Sequence, residues 1–162
     1  VYGSCQDMEE IQMRLESHNS NILHAKGNYK KKVVKCSGEF CRVIQTSDQK
    51  KVYEPGHPRA TKRGYVFYPD INIEKEYSLL SAGADILKRM ARDGACSSQL
   101  VEKTKVIEVK YAKGKILKDV FKYDEENNLA SWLRLFKNGK QSLFDYTHRM
   151  DEESFATNSF AF

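Results

Sequence analysis

Four cysteines are the residues of this chain whose type and spacing best suit chemistry. Cys36 and Cys41 bracket "SGEF" between the strand-like runs "KKVVK" and "RVIQT". Thiols flanking a short hairpin loop come within bridging distance, so a Cys36–Cys41 disulfide is expected, with Cys5 and Cys96 paired by elimination. Two other readings stand beside this one. Zinc usually takes two closely spaced ligand pairs, whereas Cys5 and Cys96 are far apart and His18, His24, His57 and His148 fall at no ligand spacing. Unpaired buried thiols are the remaining alternative. A redox dithiol favours a two-residue spacer at a helix start, a pattern that "CSGEFC" lacks. Paired cysteines point to an oxidising compartment, and so to a periplasmic or secreted protein.

The rest of the chain offers little to a reaction. It has no glycine-rich phosphate loop, no nucleophile elbow and no metal-binding helix. Asp70, Glu74 and Glu76 are close in sequence, but they read as a solvated loop running into a helix start. An acid pair in a cleft is the one catalytic arrangement these residues leave open. The expectation is a protein that is not an enzyme and carries neither metal nor cofactor.

Composition narrows the remaining functions. The chain has 162 residues, 40% hydrophobic and 30% charged, which suits one domain, and no apolar run approaches membrane-spanning length. It begins at Val1 without a basic-then-apolar leader, as expected of an exported protein whose targeting segment was removed or of a trimmed cytosolic one. "YGSC" at residues 2–5 suggests a lipid-anchor box on Cys5, but Tyr2 stands where such boxes take an aliphatic residue. Residues 26–63 hold eleven Lys or Arg against three acids, and the remainder sixteen against nineteen. That basic region either keeps strand edges soluble or docks an acidic envelope protein or an anionic membrane surface.

The elements that must position these groups follow from periodicity. From Asp7, Met8, Ile11, Leu15 and Ile22 form one helical stripe, predicting a helix over about 7–26 that Gly27 closes. Strands are expected over about 29–68, ending in "YVFY", where Tyr65 and Phe67 share one face and Val66 and Tyr68 the other. "EYSLLSAGADILKRMARDG" predicts a second helix over about 74–93. From about 104 to 150 the turn signals "AKGK", "DEENN" and "KNGK" predict a four-stranded antiparallel meander. In it Ile107, Val109 and Tyr111 share one face, and Leu117, Phe121 and Tyr123 alternate with lysines. A short strand is expected over about 154–162.

An aromatic-rich sheet with helices on one side is either a container or a platform. A platform exposes its rings beside Lys and Arg to stack bases, whereas a container hides them among aliphatics. Phe121, Tyr123, Phe144 and Tyr146 share faces with Leu117, Val109 and Ile107, which favours a container or a plain core and disfavours nucleic acid.

The order of elements, with Tyr68, Pro69, Asp70, Ile71 and Asn72 forming a Tyr-Pro-Asp-Ile-Asn turn and Phe160 and Phe162 closing the chain after "YDEENN", resembles the periplasmic lipoprotein-carrier superfamily of the LolA and LolB type. The resemblance implies an incomplete antiparallel barrel with helices plugging its mouth, which binds acyl chains and catalyses nothing.

The fold expected is therefore α+β: a curved antiparallel β-sheet, a half-open barrel, with both helices packed on its concave face. Lipid or lipoprotein acyl chains would lie against Ile11, Leu15, Phe67, Leu80, Leu87, Ile107, Val109, Phe121, Trp132, Phe136 and Phe144. The competing expectation is an envelope interaction module whose core is filled and whose basic 26–63 region docks an acidic partner.

Overall fold

The computed structural model describes residues 3–146 and the strand residues 159–161. Helix α1, Cys5–His24, starts two residues before the predicted position because Ser4 caps it. The Ser4 hydroxyl accepts from the Asp7 amide at 3.0 Å, and the Asp7 carboxylate accepts from the Ser4 amide, a reciprocal pair that satisfies two orphan donors of the first turn. Its apolar stripe, Met8, Ile11, Leu15 and Ile22, is buried. Helix α2, Ile73–Arg92, is capped by Asn72 and buries Tyr77, Leu80, Ala84, Leu87 and Ala91. The helices cross closely at Gly83, where an added Cβ would collide with the Leu15 Cδ1.

The predicted strands between 29 and 68 divide into two separate ribbons. Among the described residues β1, Lys31–Ser37, pairs only with β2, Phe40–Thr46, and β3, Gln49–Tyr53, only with β4, Tyr65–Pro69. In β4 the alternation expected from the sequence is present, but Val66 and Tyr68 face inward and Phe67 outward. Contacts on the inner side select that phase: the Tyr68 hydroxyl donates to Glu54, and the ammonium of Lys26 lies 5.0 Å from the Tyr68 ring.

The third sheet is a six-stranded antiparallel meander. It comprises β5 (Gln99–Lys103), β6 (Val106–Lys110), β7 (Ile116–Tyr123), β8 (Leu129–Phe136), β9 (Gln141–Asp145) and β10 (Ser159–Ala161), in the spatial order β10-β9-β8-β7-β6-β5. Four strands were expected over 104–150. β5 was missed because "QLVEK" is five residues long and places Leu100 and Val101 side by side, without alternation. Residues 147–158 and Phe162, which hold parts of the predicted meander and C-terminal strand, lie outside the described residues. So do Val1 and Tyr2.

The fold is thus α+β, with two helices and antiparallel sheets, none of them closed into a barrel among the described residues. One buried cluster joins the helix stripes to Val109, Tyr111, Ile116, Phe121, Leu129, Trp132 and Tyr146 from the meander and the chain directly after it. Hydrogen bonds tie the same parts together. The Tyr77 hydroxyl donates to the Leu129 backbone carbonyl at 2.7 Å, and the Tyr146 hydroxyl donates to the side-chain Oδ1 of Asn19.

Candidate functional site

Register places two rows of side chains across the meander on the face that joins the buried cluster. One runs Leu100, Val109, Asp119, Arg134 and Ser142; the next runs Ile107, Phe121, Trp132 and Phe144. Beyond Ile107 the second row is aromatic, with Phe121 and Trp132 stacked at a centroid distance of 6.4 Å and Phe144 tilted against Trp132 at 5.5 Å. The first row carries a charge pair through the middle of the sheet.

Both members of that pair are hydrogen-bonded several times over. Arg134 Nε donates to Asp119 Oδ1 at 2.7 Å and Nη2 to Oδ2 at 3.0 Å, a two-pronged pairing that suits a buried guanidinium. The Trp132 indole N–H donates to Oδ1 at 2.9 Å and the Tyr111 hydroxyl to Oδ2 at 2.6 Å. Arg134 Nη1 then reaches α1, donating to the Gln12 carbonyl at 3.1 Å and to Glu16 Oε1 at 2.9 Å. Burial works against the charge on Arg134, but Asp119, Tyr111 and Glu16 outweigh it and hold the guanidinium above its usual pKa. Burial first, and then the Asp119 charge, push the Tyr111 phenol well above its ordinary value, so it remains a donor.

Two clefts open on either side of this pin. One, of about 500 Å³, has Met8, Met13, Ile116 and Phe136 as apolar wall and Lys113, Lys115 and the Cys5–Cys96 bridge at its edge. The other, of about 450 Å³, lies between Leu23 of α1 and Trp132, Phe136 and Phe144 of the sheet. Glu16, Arg134 and Phe136 line both. Arg134 is 1% exposed and its Glu16 partner 52%, so the pair joins a buried cation to a surface carboxylate.

The expected lining residues are spread over several environments. Ile11, Leu15, Leu80, Leu87, Val109 and Phe121 lie in the closed cluster. Trp132, Phe136 and Phe144 meet at a cleft, whereas Ile107 lines a separate, more open one of about 400 Å³ with Lys88 and Tyr123. Phe67 is 45% exposed on the outer face of its ribbon. Sequence reasoning missed Asp119 and Arg134, although each is a charged residue two positions from a buried aromatic, in phase with the inward face.

A second polar cluster ties α2 to α1. Glu76, 3% exposed, accepts from Asn21 Nδ2 at 2.7 Å and faces His18 Nδ1 at 3.1 Å. Asn21 also pairs with both backbone groups of Lys32, so it serves β1 as a neighbouring strand would. Burial favours the neutral form of Glu76, but the His18 and Asn21 hydrogen bonds prevail and keep its carboxyl below the usual pKa.

The cysteines pair as the sequence suggests, Cys36 with Cys41 and Cys5 with Cys96. Glu10 stands 3.7 Å from the Cys41 sulfur, but both sulfurs of that group are bonded to each other and offer no thiolate to a metal. Two disulfides are consistent with an oxidising, exported compartment. No helix among the described residues is long and apolar enough to cross a membrane. Comparison of the chain with family models, curated proteins and solved structures finds no match in any of the three.

Proposed function

We propose that this is an exported, non-enzymatic binding protein that holds lipid or lipoprotein acyl chains, working as the lipoprotein carriers that its sequence resembles do. The six-stranded sheet is read as the wall of a half-open barrel and the helices as its plug, with the ligand in the paired clefts beside α1. One observation carries this reading: two clefts of about 500 and 450 Å³ share Phe136 and Arg134, and each is within the size range of small-molecule sites. Apolar walls suffice for such a ligand, because each methylene removed from water contributes roughly 0.8 kcal/mol.

The test is native mass spectrometry and organic extraction of protein purified without detergent, followed by titration with a fluorescent fatty acid. Bound fatty acid or phospholipid is expected, with binding at least about tenfold weaker in Phe136→Glu, whose charge would stand in the shared wall. A clean apo mass together with no fatty-acid binding would overturn the reading.

A second reading has its own support. Leu80, Leu87, Val109 and Phe121 fill the space beneath α2 with their own side chains. A filled core suits an envelope interaction module that docks an acidic partner through residues 26–63. In the same experiment this module would stay empty of lipid.

A further inference from the structure

The β3–β4 ribbon carries large side chains on a face the core does not use. Its register sets Lys51 opposite Phe67 and Tyr53 opposite Tyr65, all on one side. Tyr53 is 63% exposed there, and Lys51 and Phe67 are exposed beside it. The reverse side secures the ribbon: Val66 and Tyr68 are buried, and Lys50 Nζ donates to the Ile71 carbonyl at 3.2 Å. The ribbon is therefore anchored to the rest of the molecule from its reverse side.

The patch is ordered and strongly basic. Gly64, with φ of +88°, lets the chain pass beneath the Tyr53 ring, where a Cβ would come within 2.8 Å of the ring edge. Tyr53 meets Tyr65 edge-on at 5.3 Å, and the Lys51 ammonium lies 4.4 Å from the Tyr65 ring centre. The connecting loop adds exposed Arg59, Lys62 and Arg63. From Gln49 to Pro69 there are five Lys or Arg and one acid, Glu54.

We propose that this outer face lies on the surface of an anionic lipid bilayer, with Tyr53, Tyr65 and Phe67 at headgroup level and Lys51, Lys62 and Arg63 against lipid phosphates. Charge complementarity selects an anionic partner, and rings with polar tips beside cations are the side chains that favour the boundary between lipid and water. Nucleic acid fits less well, because the Tyr65 ring already has a lysine over it and the Tyr53 ring set edge-on against it, so these two rings do not lie side by side as a flat stacking platform. This inference stands whether or not the clefts beside α1 hold a ligand.

The test is co-sedimentation of the full chain with vesicles of phosphatidylcholine alone and with roughly a third phosphatidylglycerol. Binding is expected only to the anionic vesicles and should weaken as salt rises. Lys62→Glu combined with Arg63→Glu should lower it by at least about tenfold. Phe67→Ser should lower it by about fivefold without changing the melting temperature, since the side chain is outside the core. Equal binding to both vesicle types, or no binding to either, would overturn the proposal. So would retention on polyglutamate or an oligonucleotide that Phe67→Ser leaves intact while the anionic vesicles bind nothing.

Discussion

Asp119 and Arg134 are direct partners in the β7–β8 register, joined by two hydrogen bonds of 2.7 and 3.0 Å with both side chains removed from solvent. Because Arg134 also donates to Gln12 and Glu16 on α1, the pair ties the neighbouring strands β7 and β8 to a helix more than a hundred residues earlier in the sequence. Tyr111 and Trp132 supply further donors to the carboxylate, so neither partner is left with a bare charge.

Removing one partner should cost far more than removing both. Asp119→Ala strands a buried guanidinium and is expected to lower unfolding free energy by about 3–5 kcal/mol in urea titrations. Asp119→Leu combined with Arg134→Met should lose less than either single change does. Should the singles not fold, Tyr111→Phe, which removes one donor to the Asp119 carboxylate, should cost about 1.5–3 kcal/mol. A double variant whose loss equals the sum of the singles would show that the two charges do not depend on each other.

Glu76 predicts an acid limb in the stability profile. Its carboxyl is held below the ordinary value of 4.5 in the fold. The contribution is therefore complete above that pH and is lost as pH falls through the lower, folded value. Urea midpoints of the wild type and Glu76→Gln should differ by a constant amount above pH 4.5 and converge below it. A difference that persists unchanged into acid would contradict the assignment.

The two disulfides should contribute unequally. Cys5 and Cys96 are separated by 91 residues and Cys36 and Cys41 by 5. Chain-entropy reasoning gives roughly 4–5 kcal/mol for closing the long loop and about 2 kcal/mol for the short one. Replacing each pair by serine and comparing urea unfolding measures the ratio. Intact mass without reductant should first show one hydrogen fewer per cysteine; four free thiols would remove the bridges and the argument for export together.

Gly83→Ala sets helix propensity against packing. Alanine is favoured in a helix by about 1 kcal/mol, yet its methyl would enter space held by Leu15, which is itself fully buried. Overpacking should prevail by about 1 kcal/mol, lowering the melting temperature. A rise would mean that the helices can separate without cost.

Much of the fold was legible because local rules carried it. The 3.6-residue stripes gave both helices, and the "CSGEFC" hairpin gave its own bridge. What failed depended on partners distant in sequence. A register shift in β7 between Ile116 and Lys118 buries Ile116 and leaves Leu117 exposed, where strict alternation had put Leu117 in phase with Phe121. Alternation found the two faces of β4 but not which one turns inward, because Glu54 and Lys26 decide that. The same limit hid Asp119 and Arg134: a charged residue inside a strand has meaning only once its cross-strand neighbour is known.

The bridge between Cys5 and Cys96 also divides the chain into a covalent ring and a tail. The ring holds α1, both ribbons and α2, while β5 to β10 hang from it at a single point. A backbone cut in the exposed basic loop, between Lys62 and Arg63 for example, would leave one connected molecule until a reductant opened the bridge. A cut in the turn between β7 and β8 would leave β8 to β10, with Trp132 and Arg134, held by packing and hydrogen bonds alone. The basic 26–63 region thus lies in the part of the chain that survives a backbone cut as one covalent piece.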